Sequence, residues 1–443
     1  MADIELAQEL KDTILYHLYA QNDFLSLTAC ALAHRSLRAT SQRYLFRHIR
    51  LKTPDSANSF LQYLRKSEVV AEKVVSLYIW EGIDIYNYDK TGDENDDERD
   101  TYYELPYNVA IYGPIKVCPP EWIEKASKLL AEILDSLPRL QSLFFQSCYK
   151  DTHIRGGTPL IKALGAACRR SLHTLGWHGM GGLWDPVLYD ERSCLRDLRM
   201  LRTITGSCEP REQTPMVPLE SLVISTIGYV PPYLPGNWAM HLARDHPLDC
   251  RRLQVLRVDA RLGRGERQYI PRLLACCQST LRALDIYGPD CVDNEAFSLA
   301  SLERLELLSV RGSSKPTLAW RAVMDDVLRV LDTAICVQHL ALEIHLDGQE
   351  KDNVLETIWA RLRDTFMTGR LGTSLKTVTL FIRRASIRYS TGSERKLPHK
   401  AYVRDQLRIL EPRIRLRVVG EDEIEPDPFS RSLLPLELLD EEP

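Results

Sequence analysis

Histidine and cysteine are the residue types to weigh first for chemistry, and one short run holds three of them. "HLARDHPLDC" supplies His241, His246 and Cys250. Zinc would need a fourth ligand, or an open position with each imidazole held in one tautomer by a partner. Histidines five apart do not share a helix face as the pair in HExxH does. The run reads as a helix end carrying exposed histidines. "GWHGMGGLW" sets glycines around His178 with Trp177 and Trp184, but without the GxxxxGK[ST] spacing that cradles phosphate. It reads as a turn after a strand. Cys276 and Cys277 are adjacent within an apolar helical stretch and read as core. No Gly-x-Ser-x-Gly elbow is present.

A second stretch, "YNYDKTGDENDDERDTYYELPYNVAIYGPIKVCPP", begins at Tyr86. Its "DKTG" matches the phosphorylation motif of P-type ion pumps, yet the usual final Thr is missing and no membrane helices accompany it. The acidic run also fails the calcium-loop pattern: Gly92 is misplaced and no Glu closes a twelve-residue loop. What remains is an insertion too long for a connector, acidic and then rich in Tyr and Pro. No catalytic residue, metal or cofactor is expected anywhere in the chain.

The elements around these residues follow from composition and period. The 443 residues are 44% hydrophobic and 27% charged, ordinary for a globular chain and too many for one core. A net charge of −4 disfavours a dedicated nucleic-acid binder. Eleven Cys without a CxxC pair, no secretory signal and no long uncharged apolar run suggest free thiols, no membrane span, and a cytoplasmic or nuclear setting.

Near the N-terminus, Leu6, Leu10, Ile14 and Leu18 recur every four residues and predict one apolar helix stripe. Asn22 or Asp23 can cap a second helix carrying Phe24, Leu25, Leu27, Cys30, Ala31 and Leu32. Ser36 can start a third, with Leu37, Tyr44, Leu45, Phe46 and Ile49. Tyr44, Leu45 and Phe46 are expected to be buried between the third helix and the next domain. Arg35, Arg38 and Arg47 are expected in solvent or facing an acidic partner. Helices this short must pack together to be stable.

The order "LAQELKDTILYHL", then "DFLSL", "CALAHRSL" and "YLFRHIRL", resembles an F-box, in the form common to large fungal families. Leu6, Glu9, Leu10, Ile14, Leu18, Leu25, Leu32, Arg35, Leu45, Phe46 and Arg47 fall on motif positions. Two departures are Ala7 where Pro is usual and Leu37 where Trp is usual. The resemblance covers about residues 1–51. It implies a helical domain that binds the Skp1 adaptor through Leu6, Glu9, Leu10, Ile14, Leu18, Leu25 and Leu32. It further implies a non-catalytic substrate receptor of an SCF-type ubiquitin ligase with its cullin. The competing expectation is a three-helix cap on a solenoid.

Residues 52–420 repeat a helix and an L-x-x-L-x-(L/V/I) unit. Units open at Leu140, Leu172, Leu219, Leu253, Leu281, Leu302, Val337 and Leu375, with gaps of 21 to 47 residues, and "CLRDLRML" is a weaker candidate in the widest gap. Helical spacing lies between many of them, as in "EWIEKASKLLAEILDSL", and "DSANSFLQYLRKS" starts with Pro54 at the first helical position. The pattern predicts an α/β chain: an irregular leucine-rich-repeat-like solenoid with a parallel concave sheet. Leu253, Leu256, Leu281, Leu284, Leu302, Leu305, Leu340 and Leu342 should be buried in one inner layer. Residues between them should face out and hold an unknown protein target: Arg257, Arg282, Asp285, Arg304, Glu306, His339 and Glu343, with Gln254, Lys376 and Thr379 beside them. A small-molecule receptor, or a hydrolase or transferase on a doubly wound sheet, are the alternatives; the latter calls for a Gly-rich first turn that is not evident. "GSCEPREQTPM" near Gly206 reads as a loop, the segment at about 86–120 as an insertion, and residues 421–443 as an acidic disordered tail.

Overall fold

The computed structural model describes residues 7–20, 23–81, 122–147, 153–154, 157–178, 181–182, 192–201, 217–225, 250–259, 269–287, 298–311, 320–346, 352–368, 370–384 and 400–420. The insertion, the Gly206 loop, the acidic tail, Leu6, Asp89, Trp184, His241 and His246 lie outside them. The chain forms two compact units. The described part of the first runs to Leu195, with Val217; the second takes Arg196 and the residues from Pro218 onward.

The first unit opens with three helices, α1 (Gln8–Ala20), α2 (Phe24–Ala33) and α3 (Arg35–Leu45). Asp23 caps α2 by accepting the Ser26 N–H. The third helix starts one residue earlier than Ser36 suggested, because His34 extends its backbone and its ring nitrogen accepts the Ser36 N–H. It also stops at Leu45, so Ile49 belongs to a strand, β1 (His48–Leu51), and not to the helix. There follow α4 (Pro54–Lys66), α5 (Glu68–Ala71), β2 (Ser76–Glu81), α6 (Trp122–Lys125), α7 (Ser127–Asp135), β3 (Ser142–Ser147), β4 (His153–Ile154), α8 (Pro159–Arg170), β5 (Thr174–His178) and β6 (Gly181–Gly182). Thr53 and Ser56 form a reciprocal capping box on α4, with Pro54 at its first turn. Gly157, at a φ of 82°, makes the left-handed step that delivers Thr158 to cap α8. Strands β1, β2, β3 and β5 pair in that order, all parallel.

The second unit holds β7 (Asp197–Leu201), β8 (Ser221–Ser225), β9 (Val255–Asp259), α9 (Tyr269–Cys276), β10 (Ala283–Tyr287), β11 (Leu307–Arg311), α10 (Trp320–Thr333), β12 (His339–Leu346), α11 (Asp352–Thr368), β13 (Thr377–Arg384), α12 (Lys400–Leu407) and β14 (Arg415–Gly420). Within this unit, β7 to β14 pair in parallel, each with its neighbours in sequence. Strand order equal to chain order is what a stacked helix–strand array produces. A doubly wound sheet instead reverses direction at a switch point, and neither unit does.

Register explains the leucine pattern. Leu222, Leu256, Leu284, Leu308, Leu340 and Val378 are successive partners across the second unit, and Val258, Ile286, Val310, Leu342 and Leu380 form the next inner row. All are buried, with Leu253, Leu281, Leu302 and Leu305. Helices supply the other side of that core through Leu273, Leu274, Leu331, Trp359, Phe366 and Leu407. At Gly372 a Cβ would run into the Phe366 carbonyl, so the turn after α11 admits only glycine.

One unit boundary differs from the sequence reading. Two places before β3, β5 and each of β7 to β13 stands a buried apolar residue: Leu140, Leu172, Leu195, Leu219, Leu253, Leu281, Leu305, Val337 and Leu375. The unit containing β11 therefore opens on Leu305, with Leu302 in the preceding turn. The weak "CLRDLRML" candidate is a true repeat, opening on Leu195. Between each pair of turns, the carbonyl just ahead of one strand accepts two N–H groups from the next. That of Gln254 takes Arg282 and Ala283, and that of Arg282 takes Glu306 and Leu307.

Candidate interaction surfaces

Three surfaces hold the side chains that bear on partner binding. The first lies on α1 and α2. The core of the three helices is made by Leu15, Leu27 and Ala31, with Lys11 and Ser41 also covered. Thr40 donates to Asp12 at 2.9 Å and ties α3 to α1. The four-residue stripe on α1 faces the other way. Leu10 and Ile14 are exposed, as are Leu25 and Leu32 on α2, and Glu9 is in solvent, while Leu18 is half-buried. Of the seven positions that the F-box resemblance assigns to an adaptor, five are thus in solvent, one is half-covered and Leu6 is outside the described residues.

Where the helices meet the sheet, Tyr44, Leu45 and Phe46 are half-buried rather than buried. Tyr19 stacks on Tyr44 at 4.9 Å and on His48 at 5.9 Å, with its hydroxyl on His48 Nε2, and Phe46 stacks on Tyr63 at 5.7 Å. Burial raises the pKa of the Tyr19 hydroxyl. Burial also lowers that of His48, helped by the nearby Arg47 and Arg50. Arg35 and Arg38 are exposed, although the Arg38 guanidinium donates to the Ala31 carbonyl; Arg47 is half-buried.

The second surface is the outer side of the sheet in the second unit, where the target was expected. Arg257 and Asp285 are register partners and form an ion pair at 3.3 Å, with Asp285 almost wholly covered. Ala283, Leu307, Ser309, Ala341 and Glu343 on the same side are buried too. His339 is half-buried. Arg282 and Glu306 meet at the strand entrances through two contacts of 3.2 Å. Arg304 is exposed in the turn before β11 and lies on no strand; Gln254 and Lys376 are exposed and Thr379 half-buried. The structure therefore pairs four of the seven expected residues with one another, buries Asp285 and Glu343, and leaves Arg304 apart.

The third surface went unnoticed in the sequence. Outward positions of β1, β2, β3 and β5 form three registered rows. His48, Ser76, Ser142 and Thr174 make the first; Arg50, Tyr78, Phe144 and Gly176 the second; Lys52, Trp80, Gln146 and His178 continue as the third. Tyr78, Trp80 and Phe144 are half-exposed. The Arg50 guanidinium lies 5.9 Å from the Tyr78 ring and the Lys52 ammonium 5.1 Å from the Trp80 ring. Tyr78 donates to the Gln146 carbonyl oxygen. Among the described residues the Gln146 amide nitrogen and the Trp80 indole nitrogen have no acceptor. The signal was present as "SLYIWE", where both aromatics sit on the polar phase of the alternation.

Among the described residues no three His, Cys, Asp or Glu side chains are grouped to hold a metal, and no helix is long and apolar enough to cross a membrane. Cys250 and Cys277 are buried, and burial, then the neighbouring Cys276, pushes the Cys277 thiol up to about 12. Glu81 is buried on the inner side, where it accepts from the Ile123 N–H and the Ser147 hydroxyl. Comparison with protein-family models and with curated proteins gives no match.

Proposed function

We propose that the chain is a substrate receptor of an SCF-type ubiquitin ligase, docking the Skp1 adaptor on α1 and α2 and a protein target on the helix–strand array. The observation that supports it is the exposure of Leu10 (54%), Ile14 (49%), Leu25 (75%) and Leu32 (76%). Four large apolar side chains left in water by short neighbouring helices make a surface suited to a protein partner. They are also positions at which the F-box resemblance places the adaptor. In this role the chain forms no bonds itself: it holds the adaptor on α1 and α2 and the target on the strand array, and ubiquitin transfer is done by the assembled ligase.

The test is direct binding of the purified chain to Skp1. Micromolar or tighter association is expected, with loss in a Leu10→Asp, Ile14→Asp variant that keeps its circular dichroism. Charge placed in the apolar contact would cost a few kcal/mol. No association of the wild-type chain would leave α1 to α3 as a cap on the array, a role consistent with the direct run from α3 into β1.

A further inference from the structure

We infer that the outer face of β1, β2, β3 and β5 binds an acidic peptide segment. Its carboxylates would be met by Arg50, Lys52 and the donors of Trp80 and Gln146, and its apolar groups by the rings of Tyr78 and Phe144. The inference rests on the receptor reading only in making that peptide part of a target; the binding itself belongs to the face.

Three observations carry it. Gln146 is almost wholly covered, its residue exposure being 2%, yet among the described residues its amide nitrogen has no acceptor, and the indole N–H of its register partner Trp80 has none either. Buried donors without acceptors are a standing cost that a ligand oxygen removes. They lie side by side, because partners on neighbouring strands are about 4.8 Å apart. Second, the twelve outward positions of the three rows include Arg50 and Lys52 but no Asp or Glu. The face is thus complementary to negative charge. Third, both cations lie over aromatic rings, so a carboxylate drawn to either one is held beside a ring on which the peptide's apolar groups can pack. Gly176, opposite Phe144, leaves one place in the second row without a side chain.

The shape favours a peptide. The face spans four strands, roughly 14 Å at 4.8 Å per step, and its aromatics are half-exposed in rows rather than enclosed. Small molecules favour concave pockets that bury most of their surface. Single-stranded nucleic acid also stacks on aromatics, but it needs a cationic groove that follows its backbone. Two lysine or arginine charges on a chain of net charge −4 do not supply one.

The experiment is selection of a random peptide library, displayed on phage, against the immobilised full-length chain. Enriched peptides are then synthesised with a fluorescent label and titrated by anisotropy. Enrichment of peptides with paired or clustered Asp and Glu is expected. Their affinity should fall about tenfold for an Arg50→Ala, Lys52→Ala variant and on raising salt. It should fall several-fold for Trp80→Phe, which keeps an aromatic ring and deletes the N–H. The surface double variant keeps the test decisive should Trp80→Phe disturb folding. A library that enriches nothing, peptides without acids, affinities equal in wild type and double variant, or tighter binding of labelled oligothymidine would each overturn the inference. Skp1 binding is measured separately on the same double variant. Its absence there and in the wild type overturns the receptor reading and leaves the peptide result standing.

Discussion

On β9 and β10 the outward Arg257 meets Asp285 at 3.3 Å and both are withdrawn from water. On β1 and β2 the outward Arg50 and Lys52 lie over Tyr78 and Trp80, and no carboxylate shares their rows. The strand geometry is the same in both places, and the alternation that turns these residues outward is the same. What differs is whether the charges answer each other. In the second unit they do, and the face has become a second core, with Ser309 and Ala341 as covered as the leucines behind them. In the first unit the outward cations lie over aromatic rings instead, and the Trp80 indole and Gln146 amide nitrogens have no acceptor among the described residues. Charge on an outward strand position thus has no fixed meaning; the register partner decides it.

Replacements should separate the two faces by the size of their effect. Asp285→Ala leaves Arg257 covered and without its carboxylate, and should cost about 3–5 kcal/mol in urea unfolding of the full chain. A loss below about 1 kcal/mol would show the pair to be dispensable and erase the contrast. Leu284→Ala, on the inner side of the same strand, should cost roughly 2–5 kcal/mol through lost transfer energy and a cavity. If Asp285→Ala matches it, the outer face is core in energy as well as in exposure. Arg282→Ala breaks a pair that keeps about a third of its surface in water, so screening should hold the loss to roughly 0.2–1 kcal/mol. Lys52→Ala, in the first unit, should change stability by less than about 0.5 kcal/mol while changing peptide affinity, which is the sign of a surface kept for binding.

Acid should act on the first unit through His48. Its pKa is lowered in the folded chain by burial and by Arg47 and Arg50. The unfolded chain therefore binds the proton more readily. Stability that His48 leaves intact above its ordinary value, near 6.5, declines as pH falls through that value. Melting temperatures at pH 7.5 and 5.5 should show a drop that shrinks in His48→Gln; an equal drop in both would assign the acid response elsewhere.

The inner layer was legible because its period is carried by large apolar residues. Leu253, Leu256, Leu281, Leu284, Leu340 and Leu342 are all buried where spacing put them. The frame slipped at "LASLERLEL", where Leu299, Leu302 and Leu305 stand three apart and each can open a unit. Only the hydrogen bonds from Glu306 and Leu307 to the Arg282 carbonyl select Leu305. Burial of the outer face at Asp285 could not be read from a strand's own alternation, since its partner Arg257 stands on the neighbouring strand. On α1, periodicity found the apolar stripe at Leu10 and Ile14 but could not say that α2 and α3 pack against Leu15 instead. His34 as the cap of α3 was missed because imidazole is an uncommon acceptor at that place.

Within the second unit β14 ends the order of strands, with β13 as its one strand neighbour among the described residues. An open strand edge is a template on which another chain can pair. Arg415 and Arg417 stand in solvent on that strand. A second copy pairing there strand for strand would bring guanidinium against guanidinium, so the edge is guarded by charge against the addition of like to like.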